Sequence, residues 1–246
     1  MWEEIPHIPH KEESMKNRGK KYIEAANKVE KHKAYTKEEA VKLVKETSIS
    51  KFVSSVEIAL NLNLDTKKAE QQLRGALVLP HGTGKDKKVL VIAKGAKVTE
   101  AKEAGADFAG EQEMLDKIEK ENWFEFDTII ATPDMMASLG KLGKVLGPKG
   151  LMPNPKTGTV TMDVAKAVSE VKAGRVEFRT DSFGNVHGII GNTNFTDEQL
   201  IDNMNAFVSN IIKIKPSVVK GDYIKNISIS STMGPGIKVA LNSFDK

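Results

Sequence analysis

The spacing of apolar residues changes twice along this 246-residue chain, and that change constrains the fold more than any single motif. From Phe52 to Leu64 the pattern alternates. Val56, Ile58, Leu60, Leu62 and Leu64 share one side; Lys51, Ser55, Glu57, Asn61 and Asn63 share the other. A period of two predicts a strand with one face on a core and one in water. Strict alternation puts Phe52 on the apolar side, at the strand's edge. Lys88–Ala93 and Thr128–Ala131 are instead continuous apolar runs, the pattern of strands covered on both faces. Helices expected near Thr99–Ala104 and Glu111–Glu121, another opened by Pro133, and one over Asp163–Ala173 alternate with them. That order predicts a small parallel α/β unit.

After Gly174 the alternation returns. Val176, Phe178 and Thr180 face one way and Arg175, Glu177 and Arg179 the other. Asp181–Asn185 then forms a turn, and Val186–Ile190 a returning strand. Ile227–Ser231 and Ile237–Leu241 are the last two strands. Lys16–Lys45 reads as helical with a break near Lys33–Tyr35. Thr36 with Glu39, and Thr196 with Gln199, have capping-box spacing. The helix begun at Thr196 offers Leu200, Met204, Phe207, Val208 and Ile211 to a core and stops before Pro216. Half-wet strands at both ends and covered strands in the middle predict an α/β fold. Residues 15–82 and 175–246 form one discontinuous domain, and residues 83–174 a parallel domain inserted into it. The chain crosses between them near Gly82 and Gly174, where glycine supplies permissive dihedrals.

The middle of the chain holds its most distinctive segment. Residues 147–159, GPKGLMPNPKTGT, place three Gly and three Pro in thirteen positions, so neither a helix interior nor a paired strand runs through. Yet Leu151 and Met152 sit at its centre. Between Met135 and Met162 there is no acidic residue, while Lys141, Lys144, Lys149 and Lys156 are spread along it. Such a loop suits a polyanion, or simply joins two elements. Over the whole chain, residues 83–174 hold 14 Lys against 14 acidic residues, and residues 1–14 one Lys against four Glu. Of the formal charge of +4, a surplus of +7 therefore falls on the remainder, together with all the arginines, Arg18, Arg74, Arg175 and Arg179. That is where a phosphate backbone would be met.

Several function classes are excluded. Without cysteine there is no disulfide framework or thiolate metal site. The five His form no close i, i+4 pair beside a carboxylate, and no cofactor or metal is expected. No apolar run approaches the roughly 20 residues of a membrane span, so the expected setting is cytoplasmic. Gly82–Lys85 has Leu79 and Asp86 where a phosphate loop needs Gly and Ser or Thr. No nucleophile elbow occurs. His187 is the best lone catalytic candidate, and a nucleotide-binding or phosphotransfer enzyme is the rival reading.

Four segments carry a resemblance that runs from about Met15 to the end. They are the 147–159 run, residues 50–59 (SKFVSSVEIA), residues 173–179 (AGRVEFR) and residues 231–236 (STMGPG). In order and spacing they resemble the L-one family of ribosomal proteins, which sit in the mobile stalk of the large ribosomal subunit beside the tRNA exit site. The resemblance implies a split α/β sandwich domain with an inserted Rossmann-like lid, and no catalysis. It implies binding to the stalk helices of large-subunit rRNA, movement with exit-site tRNA and, in bacteria, repression of the protein's own operon mRNA. It carries Phe52, Ser55, Glu57, Thr232, Met233 and Gly234 into the rRNA contact. Lys51, Arg175 and Arg179 join them from the wet strand faces, and Lys149 and Lys156 from the lid. Residues 1–14 lie outside the resemblance. They lack the apolar stretch of a signal peptide and read as a disordered extension, either upstream of a true start at Met15 or a real acidic tail.

Overall fold

The computed structural model describes residues 18–30 and 32–244. The readings on residues 1–14, Met15 and Lys16 lie outside them. Helix α1, Lys20–Asn27, is followed by α2, Lys37–Glu46. The expected break is real: Tyr35 leaves the helical path and bridges Val239. Both capping boxes form, Thr36 with Glu39 at α2 and Thr196 with Gln199 at the longest helix, Asp197–Lys213.

Strand β1, Ser55–Leu62, is followed by β2, Arg74–Val78, which the periodicity did not reveal. The central segment then runs through β3 (Val89–Ile92), α3 (Ala96–Glu103), β4 (Phe108–Gly110), α4 (Gln112–Glu121) and β5 (Thr128–Ala131). Pro133 opens a 3-10 turn that leads into α5 (Met136–Lys141) and α6 (Gly143–Leu146); α7, Val164–Lys172, follows the proline-glycine run. The chain closes with β6 (Arg175–Arg179), β7 (Asn185–Asn192), α8 (Asp197–Lys213), β8 (Ile224–Ser231) and β9 (Ile237–Val239).

Three sheets result. An antiparallel sheet has the order β7-β1-β8-β9, a ribbon pairs β2 with β6, and a parallel sheet runs β4-β3-β5. Two expectations need correction. The strand expected from Phe52 begins only at Ser55, because bonds from Thr193 and Thr232 to Ser54 and Ser55 fix where pairing starts. The turn after β6 does not return as a simple hairpin. β6 pairs along its length with β2, whereas β7 pairs with β1, and a single bridge from Thr180, just past β6, to Val186 closes the turn.

One core draws on both ends of the chain. Val56, Ile58, Leu60 and Leu62 of β1 pack with Ala40, Val41 and Val44 of α2, and with Leu200, Met204, Phe207, Val208 and Ile211 of α8. The ribbon adds Val176 and Phe178, whose ring lies 6.1 Å from that of Phe207. In the centre all four residues of β3 are buried. Leu90 and Ile92 pack towards α4, α5 and α6, while Val89 and Val91 pack towards α3 and α7. Cover on both faces is what the unbroken apolar runs predict, and the fold is α/β.

Candidate nucleic-acid interface

The antiparallel pairing of β1 and β8 sets Val56 opposite Ser231, so the segment entering β1 and the one leaving β8 emerge at the same end of the sheet. Backbone and hydroxyl groups lace them together. Ser55 N–H donates to Thr232 Oγ1 at 3.2 Å, and Thr232 N–H donates to Ser55 O at 3.0 Å. One residue back, Ser54 N–H donates to Thr193 Oγ1 at 3.2 Å, and Thr193 N–H donates to Ser54 O at 2.9 Å. The hydroxyls of Ser48 and Ser50 both meet the buried Ser54 Oγ.

What this lacing displays is apolar. Phe52 is 62% exposed and Val53 53%, with Lys51 exposed beside them. Across the gap Met233 is 70% exposed and takes a left-handed backbone, φ +68°. For a residue with a Cβ that conformation costs about 1–2 kcal/mol. Such a conformation persists only where surrounding bonds hold it. Gly234 is fixed by close approach: a Cβ there would overlap Ser231 Oγ. The structure thus brings Lys51, Phe52, Ser55, Thr232, Met233 and Gly234 to one tip. Phe52 is outside the strand and exposed, not on its apolar face. Ser55 is 8% exposed and Thr232 is bonded to it, so these two support the tip rather than form its outer surface.

Glu57 lies further along the open face, opposite Ile189 on one side and Ser230 on the other. It lines a cleft of about 370 Å³ with Lys85, Lys87, Glu177 and His187. Burial lowers the Lys87 ammonium below its ordinary pKa, and its Nζ donates to Arg175 O at 2.7 Å.

Arg175 departs from its expected place. Alternation put it on the wet face with Glu177 and Arg179, yet its side chain is only 14% exposed. Its guanidinium pairs with Glu170 at 2.6 Å and donates to Thr157 O. It therefore ties the proline-glycine run and the end of α7 to β6, while Glu177 and Arg179 do face solvent. The run itself is rigid. Asn154 N–H donates to Thr159 Oγ1 at 2.8 Å, Thr157 Oγ1 donates to Asn154 O at 3.1 Å, and Asn154 Oδ1 accepts Lys156 N–H at 2.8 Å. Leu151 and Met152 pack on the central core. Lys149 is exposed with its Nζ 4.2 Å from the centre of the Phe124 ring, and Lys156 is exposed. Sequence reasoning missed Thr193 and Ser54. The only hint was the density of Ser between Ser48 and Ser55.

Residues 44–235 match the Ribosomal protein L1p/L10e family. The chain belongs to this family. It is also 63% identical over 214 residues to the large ribosomal subunit protein uL1 of Mesoplasma florum, a span covering 87% of this chain and 94% of that protein. Membership in the L1p/L10e family makes this a ribosomal protein and not an enzyme. The family match takes in both sides of the exposed tip, the proline-glycine run and the whole central sheet.

Proposed function

We propose that this chain is a structural constituent of the large ribosomal subunit, working in the cytoplasm, and that it binds the stalk helices of large-subunit rRNA through the tip of its open sheet. The observation that carries the reading is Met233, left-handed and exposed next to the Ser55–Thr232 bonds, at the same end of the sheet as the exposed Phe52. Sequence-specific RNA recognition uses unstacked bases set against apolar or aromatic side chains, with short polar groups and close backbone nearby. Lys51, Phe52, Met233 and Gly234 offer that chemistry at the tip, supported by Ser55 and Thr232; Glu57 and Arg179 extend it along the open face. Arg175 contributes by holding the adjoining loop. Residues 15–82 with 175–246 form the RNA-binding domain, and residues 83–174 a lid whose Lys149 and Lys156 add phosphate contacts. The lid takes part in movement and release of exit-site tRNA. The same tip recognises the protein's own operon mRNA, where a mimic of the stalk site would let it repress translation.

Filter binding of the full chain to a stalk-rRNA fragment, against random RNA of equal length, tests this. Met233→Asp is expected to abolish the preference for the stalk fragment. Lys149→Ala is expected to lower affinity modestly and to reduce the salt slope by about one unit. A wild-type chain that holds both RNAs equally tightly overturns the reading.

A further inference from the structure

The turn between β6 and β7 holds an aromatic ring in water at the end of the sheet away from Met233. Phe183 is 81% exposed. Its backbone is fixed on every side. Asp181 Oδ1 accepts the N–H groups of Phe183 and Asn185 at 2.8 and 2.7 Å, and Asp181 Oδ2 accepts Asn185 Nδ2 at 2.9 Å. Thr66 Oγ1 donates to Ser182 O at 2.6 Å, and Leu62 N–H donates to Gly184 O at 3.0 Å. The ring is therefore presented by a rigid support.

Beside it the β2–β6 ribbon sets Arg74 directly opposite Arg179. Both are exposed, and among the described residues no carboxylate lies within ion-pair distance of either. Like charges opposed across a ribbon are destabilising, and paired guanidinium planes match phosphate oxygens. Bonds between Leu73 and Thr180 lock the ribbon immediately before the turn, so the arginines and the ring belong to one corner. Glu177, on the Arg179 side of β6, lines the cleft shared with Glu57 and His187, so the wet face of the ribbon continues that of the main sheet.

We propose that Phe183, Arg74 and Arg179 form a second RNA contact, a phosphate clamp with a base-stacking platform. It is separated from the Met233 tip by the length of β1, roughly 23 Å at about 3.3 Å per residue. The inference rests on the RNA-binding reading above. A single ring flanked by unpaired arginines fits a nucleotide, which offers a π-face and a phosphate together. A protein partner would need a wider apolar patch.

Filter binding of the full chain to the stalk-rRNA fragment over a salt series, with hydroxyl-radical footprinting, tests it. Phe183→Ala is expected to weaken binding about tenfold at unchanged salt slope, and Phe183→Trp to restore it. Arg74→Ala and Arg179→Ala are each expected to reduce the slope by about 0.7–0.9. The Phe183→Ala footprint should lose one protected segment and keep the segment lost in Met233→Asp. If Met233→Asp binds poorly while the corner variants bind and protect like wild type, the corner contact is overturned. If Met233→Asp also binds like wild type, the broader RNA-binding reading is what fails. Unchanged RNA binding with lost association with ribosomal subunits would overturn the corner contact in favour of a protein partner.

Discussion

Gly82 and Gly174 touch where the chain passes twice between its cores: a Cβ built on Gly174 would overlap Gly82 Cα. Both are left-handed, with φ of +64° and +94°. Gly174→Ala should therefore meet a backbone clash as well as conformational strain, and lose at least about 2 kcal/mol in urea unfolding. Gly150→Ala is the control. Its φ is +72° but nothing lies within 4 Å of the added methyl, so only the left-handed cost of about 1–2 kcal/mol applies.

Asn203 is fully buried and holds the first of these crossings. Its Oδ1 accepts His81 N–H at 3.0 Å, and its Nδ2 donates to Gly82 O at 2.9 Å and Ile190 O at 2.8 Å. Asn203→Leu would leave those backbone groups without partners, each at about 1–3 kcal/mol. The His81 amide should exchange markedly faster with deuterium, and global stability should fall by roughly 3 kcal/mol.

Met233→Gly should separate folding from recognition. Removing the Cβ relieves the left-handed strain, while the added freedom of the unfolded chain offsets part of that gain. The variant is expected to match or exceed wild-type stability by up to ~1 kcal/mol in urea, and to bind stalk RNA more weakly.

Acid should loosen the central sheet at Asp107. Its Oδ2 accepts Val89 N–H at 2.9 Å and lies 3.4 Å from Lys172 Nζ, and these two interactions hold its carboxyl below the ordinary range. A lowered folded pKa stabilises above the unfolded value of about 3.9, and that stability is lost as pH falls through the folded one. Asp107→Asn should be less stable at pH 7 and should flatten the dependence of unfolding on pH below about 4.

Tyr223 gives the alkaline counterpart. Burial pushes its hydroxyl up to about 12, and its oxygen finds no hydrogen-bond partner among the described residues. Stability linked to this group is complete below about pH 10 and declines from there towards 12. Tyr223→Phe removes a buried unsatisfied hydroxyl and should raise stability by about 1 kcal/mol. Spectrophotometric titration should show one fewer late-ionising tyrosine.

The limits of the sequence reading follow from range. Both capping boxes were legible because all their partners lie within four residues. The doubly covered β3 and β5 were legible because burial on two faces leaves no polar position. β2 escaped notice because Gly75 interrupts it, and Gly75 is there for a distant reason: a Cβ would come within 2.9 Å of the Phe178 ring. Arg175 was misplaced because alternation assigns a side of a strand but not what fills the space beside it. Here Glu170 and Thr157 do. For Phe52, strand length was overestimated because the strand starts where Thr193 and Thr232 begin to bond, and neither is near in sequence.

The Ser55–Thr232 bond joins residues 177 positions apart. During synthesis at about 5–20 residues per second, β1 leaves the ribosome long before β7 and β8 exist, exposing an apolar edge that has no mate. The central sheet, whose strands all lie between Val89 and Ala131, can close while the rest of the chain is still being made. Contacts of such long range are the slow ones to form. A nascent copy therefore lacks the Ser55–Thr232 tip until its last strands are released, so only a finished chain can present Phe52 and Met233 together.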